Sequence, residues 1–192
     1  MKIGVLSLQG DYQKHIDILN SLNIQTIKVK YRDDIDNINA LIIPGGESST
    51  LSKLIKKESL YTPLKNFIST SPVYGTCAGL ILLTQTIEND EEVKSFNVLD
   101  ISLTRNGWGR QINSFSKDLT IKAFKNKYRG IFIRAPKISK YGSRINVLSM
   151  LDNSPVMIQQ NKILGTTFHP ELTNDTRIHE YFINMVINAR KN

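Results

Sequence analysis

Cysteine is almost missing from this chain. Cys77 is the only one among 192 residues, which excludes an intramolecular disulfide and leaves nothing to suggest secretion. Long apolar runs are missing too, since no stretch approaches the ~18 apolar residues that a membrane span needs. The opening segment Met1-Lys2-Ile3-Gly4-Val5-Leu6-Ser7-Leu8 is apolar but breaks at Gln9-Gly10-Asp11. That is too short for a signal peptide and reads as a first strand. The expected location is therefore cytoplasmic, with no membrane partner. Internal repeats, low-complexity segments and linkers are absent as well, so one domain over residues 1–192 is expected.

Acidic residues are fewer than basic ones, 17 against 25, for a formal charge of +8. The densest basic stretch is Lys122-Ala123-Phe124-Lys125-Asn126-Lys127-Tyr128-Arg129, where aromatics interleave with charge as in a single-strand binder. Elsewhere the lysines are scattered, and Asn, Lys and Ile are abundant along the whole chain. Solvated lysines at turns and strand ends account for this better, and no nucleic-acid partner is expected.

The first half alternates strand and helix. Residues 3–8 form a strand buried on both faces. Asp11 caps a helix through about residue 22, with Ile16 and Leu19 inward and His15 at its surface or boundary. Residues 24–30 read as a strand nearer the edge and 40–43 as a third strand. Helices follow over about 50–57 and 61–70. This order argues for a parallel, doubly wound α/β sheet. The second half is strand-rich, at 96–103, 119–124, 130–134, 145–151, 156–160 and 163–168. These are expected as strands added to the sheet or as a smaller flanking one. A last helix over about 175–189 buries Ile178, Phe182, Met185 and Val186.

Against this background the single cysteine stands out. It sits in Gly75-Thr76-Cys77-Ala78-Gly79, between a strand-like and a helix-like segment, the pattern of a nucleophile elbow. Glycines two places either side leave room for close backbone approach. The adjoining helix N-terminus favours the thiolate. A nucleophile needs a base, and the base an orienter. His169 follows a strand and stands in His169-Pro170-Glu171. Proline biases the preceding residue toward extended geometry, in which residues i and i+2 face the same way, so Glu171 can reach the imidazole. His179, inside the last helix, has no such carboxylate and reads as structural. Pro44-Gly45-Gly46-Glu47-Ser48 follows the third strand without the Gly-Lys-Ser/Thr ending of a phosphate loop. It lies where open α/β sheets bind ligands.

Cys77 with His169-Pro170-Glu171 resembles the constellation of the class I glutamine amidotransferases. Further stretches sharpen the likeness: Gly-Val-Leu-Ser-Leu-Gln-Gly at 4–10, Pro-Gly-Gly-Glu-Ser at 44–48, Gly-Thr-Cys-Ala-Gly-Leu-Ile-Leu-Leu at 75–83, Arg-Asn-Gly-Trp-Gly-Arg-Gln at 105–111, Phe-Ile-Arg-Ala-Pro at 132–136 and Thr-Phe-His-Pro-Glu-Leu at 167–172. Together they cover almost the whole chain and resemble the family of glutaminase subunits of pyridoxal 5′-phosphate synthase. The resemblance departs at Trp108, where the family has a smaller aromatic, and at Gln160-Asn161-Lys162, where it has Gln-Gly-Asn.

The resemblance implies a flavodoxin-like α/β fold, a mostly parallel sheet with helices on both faces, and hydrolysis of L-glutamine to glutamate and ammonia. Cys77 would attack the amide and form a glutamyl thioester, His169 would serve as acid and base, and Glu171 would hold the imidazole. Gly45, Gly46, Glu47, Arg105, Ile133 and Arg134 would bind glutamine. The N–H groups of Gly46 and Ala78 are the oxyanion-hole candidates. No metal or cofactor is implied. The implied partner is the synthase subunit, in a hetero-oligomer of about twelve copies of each chain. It makes pyridoxal 5′-phosphate from ribose 5-phosphate, glyceraldehyde 3-phosphate and the ammonia. Rival readings are a glutaminase feeding another synthase, such as one of histidine biosynthesis, and a non-catalytic module on the same fold; a binder has no need of Cys77, His169 and Glu171 together.

Overall fold

The computed structural model describes residues 1–108 and 114–191. In chain order the elements are β1 (Lys2–Leu6), α1 (Tyr12–Ser21), β2 (Gln25–Val29), α2 (Arg32–Ile35), β3 (Ala40–Ile43), α3 (Ser48–Lys57), α4 (Tyr61–Thr70), β4 (Val73–Thr76), α5 (Ala78–Leu83) and β5 (Thr84–Ile87). There follow β6 (Leu99–Thr104), β7 (Ser114–Leu119), β8 (Tyr128–Ile133), β9 (Lys137–Tyr141), β10 (Asn146–Leu151), β11 (Ser154–Gln160), β12 (Ile163–Thr166), a 3-10 turn (Pro170–Leu172) and α6 (Arg177–Ala189).

The main sheet has seven strands in the order β10-β11-β12-β4-β3-β1-β2. Pairing is parallel from β2 through β12, and β11 and β10 join antiparallel at one edge. β2 is the opposite edge, as its alternating sequence suggests. Successive side chains of a strand point to opposite faces, and β3 shows the consequence. Ala40 and Ile42 enter one core with α1 and α6, while Leu41 and Ile43 enter another with α3, α4 and α5. Helices therefore cover both faces. The second-half strands supply the antiparallel edge and the hairpin β7-β8, and β6 and β9 join β5 in a three-stranded sheet.

Several expectations need correction. The strand expected at 119–124 ends at Leu119 and begins earlier, because Phe124 N–H turns back to the Ile121 carbonyl. Strands β5 and β9 were not expected, being short and rich in polar residues. Met185 is only partly buried on α6, whereas His179 and Ile183 are buried there. His15, expected at the surface or boundary, is fully buried. A polar residue can occupy a core face when its nitrogens find partners, and His15 finds them on α6, in β4 and beside Glu171.

Candidate active site

Parallel strands deliver their C-terminal ends to one edge of the sheet, and the site is assembled there. β4 stops at Thr76 and α5 starts at Ala78, so Cys77 is the lone residue between them. Its backbone lies at φ 47°, ψ −101°, a region costing a non-glycine residue about 1–3 kcal/mol. The conformation is pinned from both sides. Cys77 N–H donates to the Thr166 carbonyl at 2.8 Å, and Ile81 N–H donates to the Cys77 carbonyl at 3.1 Å. The flanking glycines behave as the elbow pattern requires. A Cβ on Gly75 would sit 2.7 Å from the backbone of Gly79, and one on Gly79 would collide with the Ile43 carbonyl. Cys77 as a whole is only 5% exposed, yet it forms part of a cleft wall, with Sγ 3.9 Å from the Ile133 carbonyl.

His169 arrives from β12, its N–H donating to the Ile131 carbonyl at 2.8 Å. The expected contact with Glu171 is present, Nδ1 to Oε1 at 2.7 Å. The backbone that makes it is different from the expected extended chain. Pro170–Leu172 is a 3-10 turn, and the tight turn brings Glu171 back beneath the ring. Burial opposes charge on His169, but hydrogen bonds with Cys77 and Glu171 prevail and raise its pKa to about 10. Burial likewise opposes the charge of Glu171, yet the His15 and His169 rings hold its pKa below the usual value.

Cys77 and His169 open onto a cleft of about 300 Å³, also lined by Gly46, Glu47, Arg105, Ile133 and Arg134. Those expected binding residues are therefore brought together. Gly45 and Glu171 lie behind the wall: a Cβ on Gly45 would come 2.5 Å from Cε1 of His169. Gly46 has φ 152°, and a side chain there would strike Gln9. Ala78 is the first residue of α5, where the N–H groups have no partner within the helix. Glu47 caps α3, accepting from the N–H of Ser49 at 3.2 Å and of Thr50 at 2.6 Å. Burial opposes its charge, but these bonds lower its pKa to about 2. Arg105 forks between Glu47, at 2.8 Å, and Asp90. Two residues expected to bind glutamine, Glu47 and Arg105, thus brace each other. Arg134, at φ 42°, has no carboxylate within 4 Å among the described residues.

Sequence reasoning overlooked Gln9, Asp90 and Asn106. Gln9 accepts the Glu47 N–H at 3.0 Å and lines the cleft with Asn106. Its position just past β1 was a usable signal, since that end of a parallel strand faces the ligand edge. Asp90 lies in a loop with no pattern to mark it. Of the motif at 105–111, Gly109, Arg110 and Gln111 lie outside the described residues. Trp108 packs against Phe115 and Phe132 and donates Nε1–H to the Pro136 carbonyl at 3.2 Å, so it is a partly buried side chain packed against the core. Asn161 takes φ 51° in the β11–β12 hairpin, which asparagine tolerates.

Known proteins agree with this architecture. The profile of the SNO glutamine amidotransferase family matches residues 5–188. The chain is 46% identical over 192 residues to a pyridoxal 5′-phosphate synthase subunit PdxT of Fervidobacterium nodosum, covering all of both chains. It is 47% identical over 189 residues to a protein of the same name from Kosmotoga olearia, covering 97% of this chain and 98% of that one. A crystal structure of a glutamine amidotransferase superposes with a TM-score of 0.91 at 37% identity, over 96% of this chain and 98% of its own. PurLQS from Thermotoga maritima, at 16% identity, shares the fold with a TM-score of 0.67 over 98% and 95% of the two chains. The chain belongs to the SNO glutamine amidotransferase family.

Proposed function

We propose that the chain hydrolyses L-glutamine to L-glutamate and ammonia and passes the ammonia to a synthase subunit that makes pyridoxal 5′-phosphate. The observation that carries this is the strained Cys77 beside a His169 ring whose far nitrogen is held by Glu171 at 2.7 Å. A raised His169 pKa favours a thiolate–imidazolium pair.

Glutamine enters the cleft with its amide at Cys77. Sγ attacks the amide carbon, and the oxyanion is met by the N–H groups of Gly46 and Ala78. His169 gives a proton to the departing nitrogen, the C–N bond breaks, and ammonia leaves a thioester. The neutral ring then takes a proton from water, hydroxide adds to the thioester, and glutamate departs from the restored thiol. Glu171 stabilises each imidazolium without accepting its proton. Gly45 permits the approach of His169, Glu47 answers the α-ammonium, and Arg105, Ile133 and Arg134 complete the amino-acid pocket. The proposed assembly is a ring complex with about twelve chains of each subunit, and the whole of residues 1–192 acts as one glutaminase domain. Synthase chemistry from ribose 5-phosphate and glyceraldehyde 3-phosphate belongs to the partner.

The test is ammonia release from L-glutamine with the synthase subunit present. Cys77→Ala and His169→Asn are expected to lose at least about 10⁴-fold in kcat. Glu171→Gln keeps more activity, since an orienter contributes less than the base it positions. Near wild-type release by Cys77→Ala would sink the assignment.

A further inference from the structure

Glu171 has a second oxygen, and it points away from His169. Oε2 belongs to a side chain with 0% exposure and has no hydrogen-bond partner of ordinary length among the described residues. Nε2 of His15 lies 3.5 Å from it and 3.4 Å from the Thr76 hydroxyl. On the other side of the same ring, Nδ1 of His15 meets Nε2 of His179 at 2.9 Å. His15 comes from α1 and His179 from α6, 164 residues apart, and both are fully buried. The last atom of the row, Nδ1 of His179, is buried without a partner among the described residues.

Proton placement along this row is decided by its ends. A carboxylate only accepts, so a ring nitrogen beside Oε2 must carry the hydrogen. His15 is then protonated on Nε2 and bare on Nδ1, and His179 must donate from Nε2, leaving its own Nδ1 bare. That leaves only an acceptor unsatisfied. The reverse tautomers would set a nitrogen lone pair against Oε2 and strand a buried N–H, the rarer and costlier kind of orphan.

We propose that His15, oriented by His179, is a positioning residue of the glutaminase triad, its Nε2–H serving as the donor to the second oxygen of Glu171. This rests on the triad reading above. The 3.5 Å separation shortens by a few tenths of an ångström when substrate tightens the site, as catalytic hydrogen bonds do on leaving the free enzyme. With both oxygens held, Glu171 stays ionised and cannot swing, so His169 keeps its Nδ1–H on the carboxylate and its Nε2 toward Cys77.

The charged and titratable groups around the pair are Asp11 just before α1, Glu171, His169 and Tyr74, whose hydroxyl is tied to Thr166. Burial outweighs the carboxylates and lowers the pKa of His15, and burial together with His15 lowers that of His179 to about 3. Both rings thus act as neutral donors at ordinary pH.

The experiment compares His15→Leu, His15→Gln and Cys77→Ala with the wild-type chain, each complexed with the synthase subunit and assayed for ammonia release from L-glutamine across pH. Leucine fills the space without an N–H, whereas glutamine places an amide N–H close to the lost Nε2–H. His15→Leu is expected to lower kcat by about 10- to 100-fold, with KM within about twofold. The acid limb of kcat/KM should move up by about half a pH unit or more, because the carboxylate loses a stabilising donor. His15→Gln should recover most of the rate and return the limb. Unchanged kinetics in His15→Leu would overturn the proposal. So would equal loss in both variants with an unmoved limb, the mark of a packing role. ¹⁵N-histidine NMR of the wild-type complex gives a reading that needs no variant. Neutral His15 and His179, both protonated on Nε2, are expected between about pH 6 and 8, and a proton on Nδ1 of His15 would also overturn it. Failure of the triad reading shows separately, as a Cys77→Ala chain that still releases ammonia.

Discussion

Cys77 and Arg105 show how one side chain can carry more than one constraint. The cysteine occupies a backbone conformation that its neighbours must enforce, and its helix and both glycines are arranged around that single residue. Arg105 is held by Glu47 and Asp90 and lines the cleft, and its guanidinium has more N–H groups than these two contacts use. A prediction follows at this scale. Arg105→Ala should raise KM for glutamine by about tenfold or more, since a charge-assisted hydrogen bond is lost, while kcat changes little. Steady-state kinetics with the synthase present would reveal the split. A fall in kcat at constant KM would move Arg105 from substrate binding to transition-state stabilisation.

Two elements set the site's geometry, the elbow and the Pro44-Gly45-Gly46 turn. At the elbow, α5 packs so close to β3 that a methyl on Gly79 meets the Ile43 carbonyl. Gly79→Ala should therefore destabilise the fold by about 1–3 kcal/mol, through overpacking against backbone that has nowhere to go. The urea midpoint would fall at unchanged slope. The turn is different in kind. The Gly45 carbonyl packs against Gly10, and Gly46 holds φ 152° beside Gln9. One peptide there can present either its C=O or its N–H, because glycines cross between backbone basins cheaply. An oxyanion donor contributes on the order of 3 kcal/mol, or ~100-fold in rate. Adding the synthase should accordingly raise kcat for glutamine far more than it lowers KM, and Gly46→Val should abolish that rise while the complex still sediments intact. Equal kcat for the lone chain and the complex would refute this switch.

At the scale of the whole molecule, folding buries three histidines with opposite proton preferences. His179 titrates at about 3 when folded against 6.5 in the ordinary ring, chiefly because of burial, and His15 shifts in the same direction. Between those values the unfolded chain binds more protons at these rings, so their contribution to stability is complete above about pH 6.5 and declines as pH falls. The limiting slope is about 1.4 kcal/mol per pH unit for each ring. Glu171 adds to the loss below the ordinary carboxyl value, since its folded pKa is lowered. His169 acts in reverse. Raised to about 10, it contributes fully below about 6.5 and loses that contribution as pH rises through 10. Urea titrations from pH 7 down to 5 should show the decline, and His179→Leu should flatten it. An unchanged urea midpoint over that range would contradict the buried, neutral pair. None of the described helices is long and apolar enough to cross a membrane.

Much of this molecule is local, and the local part was legible. β3 and α4 came out residue for residue, because a short apolar run and a periodic helix are recorded in neighbouring residues. The elbow was legible for the same reason: Gly75, Cys77 and Gly79 must be close in sequence to make one turn. His169 and Glu171 were also paired correctly, although a 3-10 turn brought them together where an extended chain was expected. What sequence could not decide was every contact made across the sheet. Arg105 meeting Asp90, Gln9 reaching Glu47, and His15 meeting His179 depend on which strand ends share an edge and which helices share a face. His15 read as a surface or boundary residue because periodicity scores a histidine as polar. Only the arrival of α6 beside α1 supplies the second imidazole that makes its burial possible.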